Sequence, residues 1–261
     1  MNLERFALTD RIAIVTGAGQ GIGEAIALAM AEAGAHVVVA DINVETMQKV
    51  VKEIGKLGRK SLAVPTDVTV TSQVENMMSK TVTEFGRIDI LVNNAGGIIT
   101  SLAGSVMEMS EEAWDKVLNL NLRTTFVCCK TVAPVMLKQG KGNIINLSSL
   151  SGLKPYPLAA QYGAAKAGVH NLTETLAAEF APNIRVNAMA PGVIETPMVI
   201  ELCRKQPELK QKRLKKILLR RMGLPKEVAY TAVFLASDAS SYITGETIVI
   251  SGGLTTYVDL E

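Results

Sequence analysis

The chain has 261 residues, 48% of them hydrophobic and 20% charged, with a formal net charge of +2. That composition is ordinary for a globular protein with a sizeable core, and the length fits one large α/β domain or two small ones. So small a net charge gives no argument for a nucleic-acid or membrane partner, and no apolar run approaches the roughly 18 residues of a membrane span.

The three cysteines, Cys128, Cys129 and Cys203, show no metal-ligand spacing, and the two histidines, His36 and His170, lie far apart in sequence. No metal site is expected. Unmatched thiols point to a reducing compartment. The segment "MNLERFALTDR" carries charges throughout, without the apolar stretch of a signal peptide. A cytoplasmic protein is expected.

Taken in chain order, short apolar runs alternate with longer helical patterns. Strands are predicted at Ile12–Thr16, His36–Asp41, Ser61–Thr66, Ile90–Asn93, Asn143–Leu147, Arg185–Ala190 and Thr247–Ile250. Helices are predicted at Ile22–Ala33, Val44–Leu57, Thr71–Phe85, Glu112–Leu137, Ala160–Phe180 and Lys226–Ala236. Pro134 should kink the long helix or end it early. Continuous runs such as "IAIV" and "HVVVA" suit strands covered on both faces. The alternation predicts a single α/β domain over 1–261, a doubly wound, Rossmann-type parallel sheet flanked by helices. One compositional break, between Pro191 and Pro225, reads as a small substrate-binding lid over about 193–224. Substrate loops of such sheets lie beyond the carboxyl ends of the strands.

The first strand runs into "TGAGQGIG", in which Gly17, Gly21 and Gly23 follow a G-x-x-x-G-x-G spacing. Glycines there allow a tight turn and bring the next helix's first amides close to a pyrophosphate. The predicted cofactor contacts of the turn are Gly17, Gly19, Gln20, Gly21, Ile22 and Gly23. Strand two ends in Asp41, followed by Ile42. A carboxylate there can accept from both hydroxyls of an adenosine ribose and would repel a 2′-phosphate. No cation stands in the turn or directly after Asp41, so NAD is the expected cofactor. Asp41 can also be read as a turn residue before the next helix.

These motifs, with "NNAG" at 93–96, Asn121 in "NLNL", Ser149, "YGAAK" at 162–166 and Pro191–Gly192, occur in an order that resembles the short-chain dehydrogenase/reductase family. The likeness covers nearly the whole chain. It implies that Asp67 and Val68 flank the adenine. Asn93, Ala95 and Gly96 would line the ribose and pyrophosphate. Pro191 and Gly192 would bring the backbone past the nicotinamide, whose carboxamide Val193, Ile194 and Thr196 would hold. Thr196 before Pro197 also reads as a helix cap. A homotetramer is implied as well.

Tyr162 and Lys166 lie four apart in a predicted helix and share a face. An ammonium beside a phenol favours the phenolate, and an oxidised nicotinamide would add a second positive charge, so a lowered tyrosine pKa is expected. Ser149 ends a strand thirteen residues earlier. Period-two alternation separates it from Ser148, and it is expected to hold the substrate oxygen. Asn121, by resemblance, would position a water joining Lys166 to solvent. The expected activity is an NAD(H)-linked interconversion of a secondary alcohol and a ketone, with Tyr162 as acid–base group.

Ser149, Ser151, Tyr162, Val193 and Met198 are the expected substrate contacts. Val199 and Leu202, with Ile98 and Leu153, would extend an apolar wall, while Gly97 would open room beside it. That wall suits an alicyclic or hydroxysteroid-like alcohol. The alternatives are a 3-hydroxyacyl thioester, a sugar or a polyol. Among family members, fatty-acid-type 3-oxoacyl reductases usually prefer NADPH, which Asp41 opposes. A nucleotide-sugar epimerase or a non-catalytic NAD sensor would need a different glycine spacing or the loss of Tyr162 or Lys166. Residues 201–221 carry nine basic side chains against Glu201 and Glu208. They form either a lid that recruits an anionic substrate or a solvated helix with Leu214, Ile217 and Leu218 turned inward.

Overall fold

Seven runs of largely β-branched and small residues build one sheet: β1 (Ile12–Thr16), β2 (His36–Asp41), β3 (Ser61–Pro65), β4 (Ile90–Asn93), β5 (Gly142–Leu147), β6 (Ile184–Pro191) and β7 (Thr247–Ile250). Every neighbouring pair is parallel, in the order β3-β2-β1-β4-β5-β6-β7. The computed structural model of the protein describes residues 3–255. Parallel neighbours need crossovers, which α1 (Gly21–Glu32), α2 (Val44–Lys56), α3 (Thr71–Phe85), α4 (Glu111–Leu118), α5 (Thr124–Gln139), α6 (Ala160–Phe180) and, beyond a lid, α9 (Pro225–Ala236) supply.

Alternation along the strands feeds two cores. Ala13, Val15, Val37 and Val39 pack on one face with Ile26, Met30, Met47 and Val228. Ile14, Val38 and Ala40 pack on the other with Val74, Met77, Val132 and Met136. Burial on both faces is why β1 and β2 read as unbroken apolar runs. The chain proceeds outward from β1 to β3, then returns to place β4 on the other side of β1. That reversal opens a crevice beyond the carboxyl ends of β1 and β4.

The long helix expected from Glu112 to Leu137 is instead two α-helices joined by a π turn at Asn119–Arg123. Such a turn holds one extra residue, and it is common at functional sites. Pro134 does not end α5, which continues to Gln139. Pro134 and Lys130, whose carbonyl the missing N–H would have met, both face solvent, so water can replace the bond.

The lid consists of α7 (Pro197–Lys205) and α8 (Pro207–Lys216). Its two ends are zipped together: Gly223 N–H donates to Val193 O at 3.0 Å, and Glu195 N–H to Gly223 O at 2.8 Å. A Cβ at Gly223 would stand 2.7 Å from Ile194 Cδ1, so any larger residue in the neck would have to displace the end of that side chain.

Candidate active site

The turn between β1 and α1 is built for close approach. Gly17 and Gly21 have φ of +62°, a region that favours glycine. A Cβ at Gly23 would overlap Gly17 O, so α1 can begin there only with glycine. Gln20, the N-cap, makes no side-chain cap bond, and the first amides of α1 are left for an anion. Two residues that the sequence reading passed over hold the turn in place. Asn94 Nδ2 donates to Thr16 O (2.9 Å) and Gly17 O (3.0 Å). Thr16 Oγ1 accepts the Asn94 and Ala95 N–H groups, each at 3.1 Å. Their signal was positional: both stand at the ends of strands that meet at the reversal point.

Asp41 ends β2 beside this turn. One carboxylate oxygen accepts Gly19 N–H at 2.8 Å and the other accepts Asn43 N–H at 2.9 Å. The carboxylate is therefore fixed against the turn, and the cap of α2 falls to Asn43. Ile42 stands 74% exposed next to it, whereas Val68 is buried. Asp67 uses one oxygen on the N–H and hydroxyl of Thr69. Asn93 ends β4 with its side chain turned into the sheet, donating to Asn146 Oδ1 (2.9 Å) and contacting Cys129 Sγ (3.2 Å). A contact from Asn93 to a cofactor would therefore be made by its backbone, beside Ala95 and Gly96. The uncapped helix end and the glycine-lined approach fit a dinucleotide; the turn would hold its pyrophosphate and Asp41 its adenosine ribose.

The end of β5 is fastened to the first turns of α6. Lys166, only 4% exposed, donates from Nζ to Leu147 O at 2.7 Å. Ser148 Oγ, buried, donates to Lys166 O at 2.9 Å. Gly152 lets the following loop lie on the α6 backbone, since a Cβ would come 2.6 Å from Lys166 C. Ser149 is half-buried, its Oγ accepting Ser151 N–H at 3.1 Å. It faces the Tyr162 hydroxyl. The alternation argument thus separates the two serines: one anchors helix backbone, the other meets the tyrosine.

The expected lowering of the Tyr162 pKa is not a property of the protein alone. Burial pushes the phenol up, the Ser149 hydrogen bond opposes this, and the nearby Tyr156 adds to the rise. Lys166 Nζ lies 5.8 Å from the Tyr162 ring centroid, and its own pKa falls to about 8 through burial. Desolvation is the largest cause for both groups.

Asn121 is fully buried in the π turn. Its side chain grips the loop after β4: Oδ1 accepts Gly97 N–H (2.8 Å), and Nδ2 donates to Gly97 O (3.0 Å) and Val117 O (3.1 Å). A water held by Asn121 would therefore meet its backbone and not its amide. A Cβ at Gly96 (φ +139°) would approach Asn121 Oδ1 to 2.8 Å, whereas one at Gly97 meets nothing within 4 Å.

On the lid side, Pro191 ends β6, and Gly192 allows close contact with Ser251, whose Cα would lie 3.0 Å from a Cβ there. Ile194 is 4% exposed with its side chain in the core, so a contact from it to a carboxamide would be made by its backbone. Thr196 caps α7, accepting Val199 N–H at 3.4 Å. Its methyl carbon would also lie 3.4 Å from a Cβ on Gly21, so the lid begins directly over the glycine turn. Ser151 and Val193 are half-buried, and Met198 is 47% exposed at the start of α7.

A dinucleotide cradle beside a serine-facing tyrosine and a buried lysine defines a class, the Rossmann-type oxidoreductases that work through a nicotinamide. Residues 17–255 match the family model described as enoyl-(acyl carrier protein) reductase. The chain belongs to the short-chain dehydrogenase/reductase family. It is 45% identical over 248 residues to the 3-oxoacyl-(acyl-carrier-protein) reductase FabG of Thermotoga maritima, covering 95% of this chain and 98% of that one. Among solved structures it is similar to a 7α-hydroxysteroid dehydrogenase complexed with NADH and 7-oxo glycochenodeoxycholic acid, at TM-score 0.92 and 35% identity, covering 97% of both chains. It is also similar to a gluconate 5-dehydrogenase from Burkholderia cenocepacia in complex with NADP and tartrate, at TM-score 0.92 and 32% identity, covering 99% of this chain and 100% of that one. The 45% relative sides with the 3-oxoacyl alternative over the steroid-like expectation. Among the described residues no cluster suited to a metal occurs, and no helix is long and apolar enough to cross a membrane.

The Lys166 pKa has a consequence for stability. The unfolded chain binds the lysine proton more tightly than the folded one, so stability gains from this group as pH rises from about 8 towards the ordinary lysine value. Below that window its burial costs at most about 3 kcal/mol. Lys166→Met should therefore raise Tm relative to the wild type most at pH 7, and the difference should shrink by pH 10 in thermal melts.

Proposed function

We propose that the protein interconverts 3-hydroxyacyl and 3-oxoacyl compounds, using NAD(H). The 45% identity to a 3-oxoacyl reductase supports the substrate class, and Asp41 supports the dinucleotide. With both oxygens already accepting backbone N–H groups, that carboxylate cannot swing away from a ribose 2′-position. A 2′-phosphate would meet a fixed like charge.

A nicotinamide held by the glycine turn and the strand ends would supply the two-electron hydride acceptor for the carbinol carbon, or the hydride donor for the carbonyl carbon. The chain handles the proton. Tyr162 faces the same point as Ser149, whose hydroxyl holds the reacting oxygen. In reduction the Tyr162 phenol donates its proton to the forming alkoxide; in oxidation the phenolate takes the hydroxyl proton. Burial holds Tyr162 as the phenol, which is the form that reduction requires. Lys166 keeps a positive charge within reach while pinned to Leu147 O.

A hydroxysteroid reading has its own support in the 7α-hydroxysteroid dehydrogenase neighbour and in the half-exposed Met198 at the lid. Cytoplasmic action fits the three free, buried thiols. A homotetramer would cover the exposed Phe126 and Leu137 of α5 and Val249 of the edge strand β7. Light scattering at micromolar protein should give four times the chain mass; a monomer would remove that part of the proposal.

The reaction is tested with 3-oxoacyl thioesters, hydroxysteroids and polyols, each with both dinucleotides. Tyr162→Phe should lower kcat about 100-fold or more with cofactor binding unchanged. Asp41→Asn keeps an acceptor oxygen and removes the charge. It should shift the kcat/KM ratio of NADP to NAD upward by about tenfold. A wild type that prefers NADP, or a Tyr162→Phe variant with normal turnover, contradicts the proposal.

A further inference from the structure

The inner side of the lid carries positive charge that the described residues leave unmatched. In and just after α8, Ile217 is buried and Lys210, Arg213 and Leu214 are half-buried, while Lys212, Lys215 and Lys216 face solvent. Leu218, expected to turn inward, is 51% exposed. A helix that is merely solvated would place its cations on the outer side alone. Three basic residues of the lid have acidic partners, Arg204 and Lys205 with Glu201 and Arg221 with Glu227, while the solvent-facing Lys212, Lys215 and Lys216 have none among the described residues. Arg213 instead donates from Nη2 to the Tyr156 hydroxyl at 3.2 Å.

That contact ties the lid to the loop before α6. Tyr156 lies in the loop that leads into α6, and the loop is pinned to the segment after β4. Gly104 N–H donates to Leu158 O at 2.8 Å, and Gln161 Nε2 donates to Leu102 O at 2.7 Å. Tyr156 is near enough to Tyr162 for its charge to disfavour the Tyr162 phenolate. Arg213 and Tyr156 thus link the lid to the loop that leads into α6, the helix of Tyr162. Leu158 (64% exposed), Tyr156 (43%) and Met198 (47%) supply apolar surface along this rim.

We propose that Arg213, together with the Tyr156 hydroxyl, is a specificity-determining clamp for an anionic group, carboxylate or phosphate, that the substrate carries beyond an apolar body from its reacting carbon. The guanidinium has further donors to offer an anion. The Tyr156 hydroxyl, which accepts from Arg213, keeps its own proton to donate to the same anion. The inference rests on the alcohol–ketone reading of the site and adds the distal charge that its substrate bears.

The test compares wild type, Arg213→Gln and Arg213→Lys on three substrates at saturating dinucleotide. These are 3-oxohexanoyl-CoA, its uncharged N-acetylcysteamine thioester, and a free medium-chain oxo acid. Arg213→Gln should raise KM about tenfold or more for an anionic substrate with kcat within about twofold, and leave the neutral thioester unchanged. Arg213→Lys should keep much of the affinity. A loss confined to the CoA thioester assigns a phosphate, and one confined to the oxo acid assigns a carboxylate. Equal changes for charged and neutral substrates, or no change for any, overturn the clamp. Calorimetry with unreactive hexanoyl-CoA and decanoate keeps the two claims separate. If wild type turned over none of the panel, the reaction reading would fail. The clamp would still stand if Arg213→Gln weakened binding of either anion, and would fall if it weakened neither.

Discussion

The site depends on how the end of β5 is fastened to α6. Leu147 O receives the Lys166 ammonium and Ser148 Oγ donates to the Lys166 carbonyl, so the last residue of β5 and the one after it grip both ends of one helical residue. The next residue, Ser149, is thereby delivered to Tyr162, one helical turn before Lys166. Buried, well-made hydrogen bonds of this kind fix geometry because the unpaired alternative is costly. Gly152 completes the fit by letting the loop lie flat on the helix backbone. With this joint in place, the Tyr162 phenol, the Lys166 ammonium and the Ser149 hydroxyl are held by one junction.

The proposed function asks the rest of the molecule to bring a dinucleotide and a substrate to that joint. The reversal between β1 and β4 opens the crevice, and Asn94 and Thr16 tie the glycine turn to the end of β4. Thr196 starts the lid directly above Gly21. The glycine turn, α6 and the lid therefore meet at the carboxyl ends of neighbouring strands.

Much of this was legible in the sequence where local chemistry decides the structure. Strands β1, β2, β4 and β7 start and stop where their apolar runs do, and the glycine spacing marked the turn. What remained hidden was set by long-range pairing. The π turn exists where the Asn121 side chain grips Gly97, a contact across 24 residues that no periodicity reports. Of the two asparagines in "NNAG", strand register turns Asn93 into the sheet and leaves Asn94 to the turn. The tyrosine–lysine spacing correctly suggested one shared face, but spacing carries no information about desolvation, which here reverses the expected shift of Tyr162.

A neutral phenol waiting beside a buried ammonium is the central claim, and tyrosinate absorbance tests it directly. The difference between wild type and Tyr162→Phe, titrated with and without NAD⁺, isolates one of the five tyrosines. The free protein should ionise Tyr162 above the range of ordinary tyrosine, and the positive nicotinamide should bring that ionisation down. A Tyr162 that already ionises near neutral pH in the free protein, or that does not respond to NAD⁺, would contradict the account.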